Sequence, residues 1–181
     1  MVKEIERKFL VNSILVKDVL DNATAVYHHN HAYMVSAQSY QVRVEIRKED
    51  KEDSKEIGII NIKGPKIGIA RIEFEYEIPL QEAVLIQSFC PNKIKKVRYK
   101  IPYVKDKDLG LNWEVDFYKD DNEGLVTAEI EIPNEDLEIE IPEWILKEIT
   151  HDDRFYNKNL SNRPFKNWSV SELKNLNYSL H

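Results

Sequence analysis

Residues 2–11 read VKEIERKFLV. Charged and apolar side chains alternate, so an extended chain puts Glu4, Glu6 and Lys8 on one face and Ile5, Arg7 and Phe9 on the other. This period of two predicts a β-strand with a charged face. The pattern recurs downstream, where alternating or β-branched runs at about residues 24–35, 39–48, 56–63, 71–78, 94–103, 111–118 and 124–132 predict seven more strands. Their polar faces also carry like residues. Arg71, Glu73, Glu75 and Glu77 share one face, Glu114 and Asp116 another, and Glu129 and Glu131 a third. The basic counterparts are Arg43 and Arg47, Lys63, and the pair Lys96 and Arg98.

Helices are fewer. Pro79 can open one through QEAVLIQSF with Ala83 and Ile86 on one side, SVSELKNL near the end reads as a last helix, and a helical patch is expected between Pro142 and Thr150, packing Trp144, Ile145 and Ile149. KEDKEDSKE at 48–56 is too charged to bury and predicts a solvated hairpin loop. Without a linker or repeat, residues 1–181 read as one domain.

An open sheet of eight strands would leave edges that so few helices cannot cover, whereas closure removes them. A barrel with helices on its apolar outer face turns the charged face into a hydrated lumen. The structural rivals are a curved sheet with its charges in water and a barrel with an apolar centre. Clustered carboxylates call for hard divalent cations such as Mg²⁺ or Mn²⁺, and clustered Lys and Arg call for a polyanion. A metal-bound polyphosphate satisfies both, although the clusters could also neutralise each other.

Composition limits the alternatives. With 26 Lys+Arg against 32 Asp+Glu the formal charge is −6, which argues against general nucleic-acid affinity, and the basic run KIKKVRYK at 93–100 fits strand-borne charges better than an independent nucleic-acid site. The single Cys90 excludes an internal disulfide and points to the cytoplasm, with no membrane span or signal peptide expected. His28, His29 and His31 lack a further ligand set by spacing, so packing beside Tyr27 and Tyr33 is the preferred reading. GPKIG at 64–68 lacks the pattern of a P-loop.

EIERKFLV at 4–11, the IKG around Lys63, RIEFEYEI at 71–78, KVRY around Lys96, WEVDFY at 113–118, AEIEI at 128–132 and EITHDDRFYNKNL at 148–160 resemble, in order, the CYTH domain of the triphosphate tunnel metalloenzymes. The likeness runs from residue 2 to about 165. It implies a mainly β fold with flanking helices, an eight-stranded antiparallel β-barrel around a charged tunnel. It also implies divalent-metal-dependent hydrolysis of a triphosphate, with inorganic tripolyphosphate first among substrates. Thiamine or nucleoside triphosphatase, adenylate cyclase and a non-catalytic polyphosphate-binding module are the alternatives, and a homodimer is left open.

By motif, the resemblance makes Glu4, Glu6, Glu129 and Glu131 metal-site and catalytic residues, with Lys8 reaching from the same face toward phosphate. Glu73, Glu75, Glu114 and Asp116 add metal, water or base contacts. Arg43, Lys63, Arg71, Lys96 and Arg98 form the phosphate clamp, with Arg154 at one tunnel end. There is one departure: the family's basic R-x-R is here Arg43-Val44-Glu45. Glu45 could draw Arg43 into an internal ion pair, and Arg47 could compensate.

Overall fold

The computed structural model describes residues 3–36, 40–105 and 107–176. The eight expected strands form as β1 (Lys3–Val11), β2 (Ala25–Ser36), β3 (Gln41–Glu49), β4 (Ile57–Ile67), β5 (Ala70–Ile78), β6 (Lys93–Pro102), β7 (Asn112–Tyr118) and β8 (Val126–Glu131). They pair antiparallel in the order β5, β4, β3, β2, β6, β7, β8, β1, and β1 returns to β5. The closing register sets Glu4 opposite Arg71 on β5 and Lys8 opposite Glu129 on β8. The sheet is therefore an eight-stranded barrel, and the open-sheet rival falls.

β5 covers only Lys3–Ile5 of β1, which leaves the same edge of Phe9–Val11 unpaired. That edge explains the main correction to the sequence reading. Between Pro142 and Thr150 the chain forms a short ninth strand, β9 (Ile145–Glu148), instead of a helix. Flanking backbone bonds run from Ile149 N to Lys8 O at 2.8 Å and from Asn12 N to Trp144 O at 2.8 Å, so the partner strand satisfies groups that a helix would have left open. The expected packing survives: Trp144 meets Trp113 edge-on at 5.4 Å, and Ile149 is buried.

The barrel's outer face carries the larger core. Ile5, Phe9 and Val11 of β1 pack with Trp113 and Val115 of β7 and Ala128 and Ile130 of β8, under Val16 and Trp144. A second cluster joins Leu10, Ile94 and Tyr118, whose parity points them inward, to Phe155, Leu160, Phe165, Trp168 and Leu176 of the C-terminal segment. This segment contains α2 (Asn157–Asn162) and the expected last helix, α3 (Val170–Lys174). Ser169 and Glu172 cap α3 reciprocally. The charged loop at 48–56 does connect a hairpin, β3 to β4.

Helix α1 (Leu80–Phe89) starts after Pro79, as expected. Ala83 is buried and Ile86 half-buried, while Gln87 donates its Nε2 to the carbonyls of Asn30 at 2.7 Å and Val44 at 3.3 Å, tying the helix to β2 and β3. The helix approaches β4 so closely that a Cβ at Gly58 would lie 2.7 Å from that of Ala83. Gly58→Val is expected to destabilise the protein by about 1–3 kcal/mol, because the helix must lift. Thermal melting should show a drop of roughly 2–4 °C per kcal/mol. An unchanged melt would mean that the helix yields freely. Among the described residues no helix is long and apolar enough to cross a membrane.

Candidate active site

Even-numbered positions of β1 and the matching positions of its neighbours point into the barrel, around a cavity of about 890 Å³. Among the described lining residues, nine Asp and Glu face nine Lys and Arg. The apolar-centred rival is thereby overturned. Such a balanced lumen accepts a cation and an anion together at far lower electrostatic cost than either alone.

Lys8 is 4% exposed and donates to Glu129 at 2.7 Å, and Arg98 donates to the other oxygen of Glu129 at 2.5 Å. Burial pushes the Glu129 carboxyl up, but Lys8, Arg98 and Lys96 outweigh it and hold the group well below its usual range. Asp116 is fully buried and takes Lys96 at 2.5 Å and Arg98 through Nε at 2.7 Å. Arg98 also pairs with Glu114, which Lys100 meets at 2.9 Å. One guanidinium thus organises three carboxylates from β7 and β8, held in register by Arg98 opposite Asp116 and Glu114 opposite Glu129.

The other acids are less well compensated. Lys63 lies 3.2 Å from Glu4 and also pairs with Glu73. Burial, and then the hydrogen bond with Glu73, push the Glu4 carboxyl up to about 9 against the pull of Lys63. In the same pair, burial raises Glu73, but the bonds from Glu4 and Lys63 hold it low. Glu131 is pushed up by burial and then by Glu114, Glu6 and Glu73. Among the described residues neither Glu6 nor Glu131 makes a salt bridge, although both line the tunnel. A group of oxygen donors short of positive charge fits a hard divalent cation.

Of the remaining expected residues, Arg43, Arg71 and Glu75 also line the tunnel, and Arg71 donates to Gly64 O at 2.9 Å. Asp116 lies behind the lining as the anchor of Lys96 and Arg98. Arg154 sits apart from the lining: it forks onto Asp152 at 2.5–2.9 Å and lies over the Trp168 ring at 5.3 Å. Its neighbours Asp153, Tyr156, Asn157 and Lys158 reach the cavity instead.

The β2–β3 wall lies four strands round the ring from β1 and β8. His29, His31 and Glu45 meet there, all buried, with ligand atoms within 4.8 Å of one another, a set that can coordinate a divalent metal. Spacing along β2 could not reveal this set, because its third member comes from β3, where His31 stands opposite Glu45.

The CYTH domain family matches residues 2–160. The chain belongs to the CYTH family. It is similar to the inorganic triphosphatase of Acetivibrio thermocellus, with 39% identity over 170 residues, covering 93% of this chain and 99% of that one. Among solved structures it resembles the inorganic triphosphatase NE1496, with a TM-score of 0.60 and 22% identity over 89% of this chain and 95% of the other. It also resembles a candidate adenylyl cyclase of Hippeastrum with a dominant triphosphatase activity, at a TM-score of 0.50 and 16% identity over 74% and 80% of the two chains. These two likenesses speak for the fold.

Within the CYTH tunnel, the charge of the Arg43-Val44-Glu45 departure is offset internally by ion pairs. Glu45 is wholly buried, with Arg47 Nε donating at 2.7 Å to one oxygen and the Arg43 guanidinium facing the other at 3.6 Å as an ion pair. Arg47, Lys100 and Lys158 join the basic lining without belonging to the clamp expected from the motifs. Lys100 could have been found from parity alone, two residues beyond Arg98 on the same strand face, as Arg47 was beside Arg43.

Proposed function

We propose that this CYTH protein is a divalent-metal-dependent triphosphatase acting on inorganic triphosphate in the cytoplasm. The observation that carries this reading is the charge-balanced tunnel, in which under-compensated carboxylates adjoin buried Lys8 and half-buried Arg98. The relative with 39% identity, named an inorganic triphosphatase, supports the substrate.

Glu4, Glu6, Glu129 and Glu131 would hold Mg²⁺ or Mn²⁺, with Glu73, Glu75 and Glu114 near enough in the lining to orient water, and Asp116 acting through its bases. When bound, the metal would supply charge neutralisation at the phosphoryl oxygens and a more acidic water. Lys8 and Arg98 stabilise the transferring phosphoryl group by turning donors now spent on Glu129 toward its oxygens. Lys96 is held by Asp116, and Lys63 by Glu4 and Glu73, so both present fixed positive charge. Arg43 and Arg71 complete the clamp with forked donors.

The test is a substrate panel of tripolyphosphate, ATP and thiamine triphosphate with Mg²⁺ or Mn²⁺. Tripolyphosphate is expected to yield orthophosphate and pyrophosphate fastest, and EDTA to abolish release. Cyclic AMP from ATP would favour the cyclase alternative, and tight binding without turnover would favour a binding module.

A further inference from the structure

Glu45 is gripped from four sides. His29 Nδ1 and Arg47 Nε lie 2.7 Å from one carboxylate oxygen, and His31 Nε2 at 3.2 Å and Arg43 at 3.6 Å face the other. The register makes this arrangement inevitable, because His29, His31 and Tyr33 stand opposite Arg47, Glu45 and Arg43. Arg47 at 2.7 Å and Arg43 at 3.6 Å face the carboxylate with guanidinium groups that stay charged at any ordinary pH. The countercharge to Glu45 is therefore the two arginines.

The cradle holds more polar atoms than Glu45 uses. His29 Nε2, His31 Nδ1, Arg43 Nε and the Tyr33 hydroxyl are buried without a hydrogen-bond partner among the described residues, and the Glu45 oxygen that His31 Nε2 and Arg43 face is also left without a formed hydrogen bond. A carboxylate offers two coplanar oxygens, whereas a phosphoryl group offers three in a pyramid. A surplus of buried polar atoms around an anion already in place suits a site sized for a larger one. A divalent cation is the other candidate occupant. It would lie beside Arg43 and Arg47 and compete with both for the same carboxylate, which disfavours it.

We propose that Glu45 is a tethered anion that fills one phosphoryl-sized position on the β2–β3 wall, and so sets the length of polyphosphate the tunnel engages. This rests on the triphosphatase reading and deepens it. With Arg47 paired to Glu45 and Arg43 facing it, the anion position on this wall is already taken, and a fourth phosphoryl group meets the Glu45 carboxylate there. Glu45→Gln keeps the shape and removes the charge, releasing both arginines.

The experiment compares tripolyphosphate with tetrapolyphosphate, by kcat/KM with Mg²⁺ and by calorimetric binding without metal. The parent is expected to bind tetrapolyphosphate no tighter than tripolyphosphate. Glu45→Gln should shift the preference toward the longer chain by about tenfold, with Glu45→Asp retaining the parental preference. A Glu45→Gln ratio within about twofold of the parent's overturns the proposal. So does stoichiometric Zn²⁺ uptake that Glu45→Gln abolishes while the chain-length ratio stays fixed. If Glu45→Gln does not fold, the parent alone decides: tetrapolyphosphate binding about tenfold tighter than tripolyphosphate overturns the proposal, and equal or weaker binding supports it. A parent that hydrolyses neither compound sinks the triphosphatase reading, while the binding ratios still report on Glu45.

Discussion

Glu6→Gln is expected to lower metal-dependent hydrolysis of tripolyphosphate by about 100-fold or more, while the barrel stays folded. Glu6 projects into the tunnel from β1 and makes no salt bridge among the described residues, so the amide removes a charge without stranding a partner. The loss should be partly recovered by raising Mn²⁺ or Mg²⁺, because weakened metal affinity answers to mass action. Glu4→Gln should behave differently at the level of stability. Its carboxyl is pushed up by burial and by its hydrogen bond with Glu73, so an uncharged amide there should cost little folding stability while still removing a proposed metal ligand. Titrating activity against metal for both variants, beside their melting curves, checks the assignment. Parental turnover at every metal concentration would remove these two residues from the metal site.

Arg98→Gln should give the largest loss of stability, about 3–5 kcal/mol, because it strips the guanidinium from buried Asp116 and Glu129 and from Glu114. The amide cannot replace a forked cation serving three carboxylates. At roughly 2–4 °C per kcal/mol, melting should fall by about 6–20 °C. Lys96 and Lys8 remain to hold Asp116 and Glu129, which argues for the lower half of that range. Activity should fall as well, since Arg98 is one of the two bases beside Glu129. A variant that melts like the parent would show that these carboxylates take up protons or water at negligible cost, and that the network contributes little to folding.

Alternation made the barrel readable. In β1, β5, β7 and β8 one face carries charge and the other is mainly apolar, so period and face were both visible in segments such as RIEFEYEI and WEVDFY. β9 was not readable in this way. Its four residues follow Pro142 and Trp144, too few to display a period, and what makes them a strand is the vacant edge of β1 more than 130 positions earlier. The site divides along the same line. Residues named by a strand motif, such as Glu4, Lys8, Lys63, Arg98 and Glu129, do face the cavity. Arg154 took its place from Asp152, two residues away, and from the Trp168 ring. The grip on Glu45 depends on the pairing of β2 with β3, which contains a register shift between Tyr33 and Val35. Such a shift cannot be inferred from either strand separately.

The three-sided pairing of β1 has a consequence for how the protein comes into being. Of all the strands, β1 is the earliest to leave the ribosome, yet its partners β5, β8 and β9 follow it, the last ending at Glu148. At ordinary elongation rates the nascent strand waits roughly ten seconds for them. During that interval Glu4, Glu6 and Lys8 belong to no site, and the hairpins β2–β3 and β4–β5 can form without them. Closure then joins the ends of the ring in a step of high sequence separation, the slow kind in β-proteins. The charged groups of the tunnel accordingly come together in the final act of folding, and a chain halted before residue 126 lacks β8 and has no tunnel to assemble.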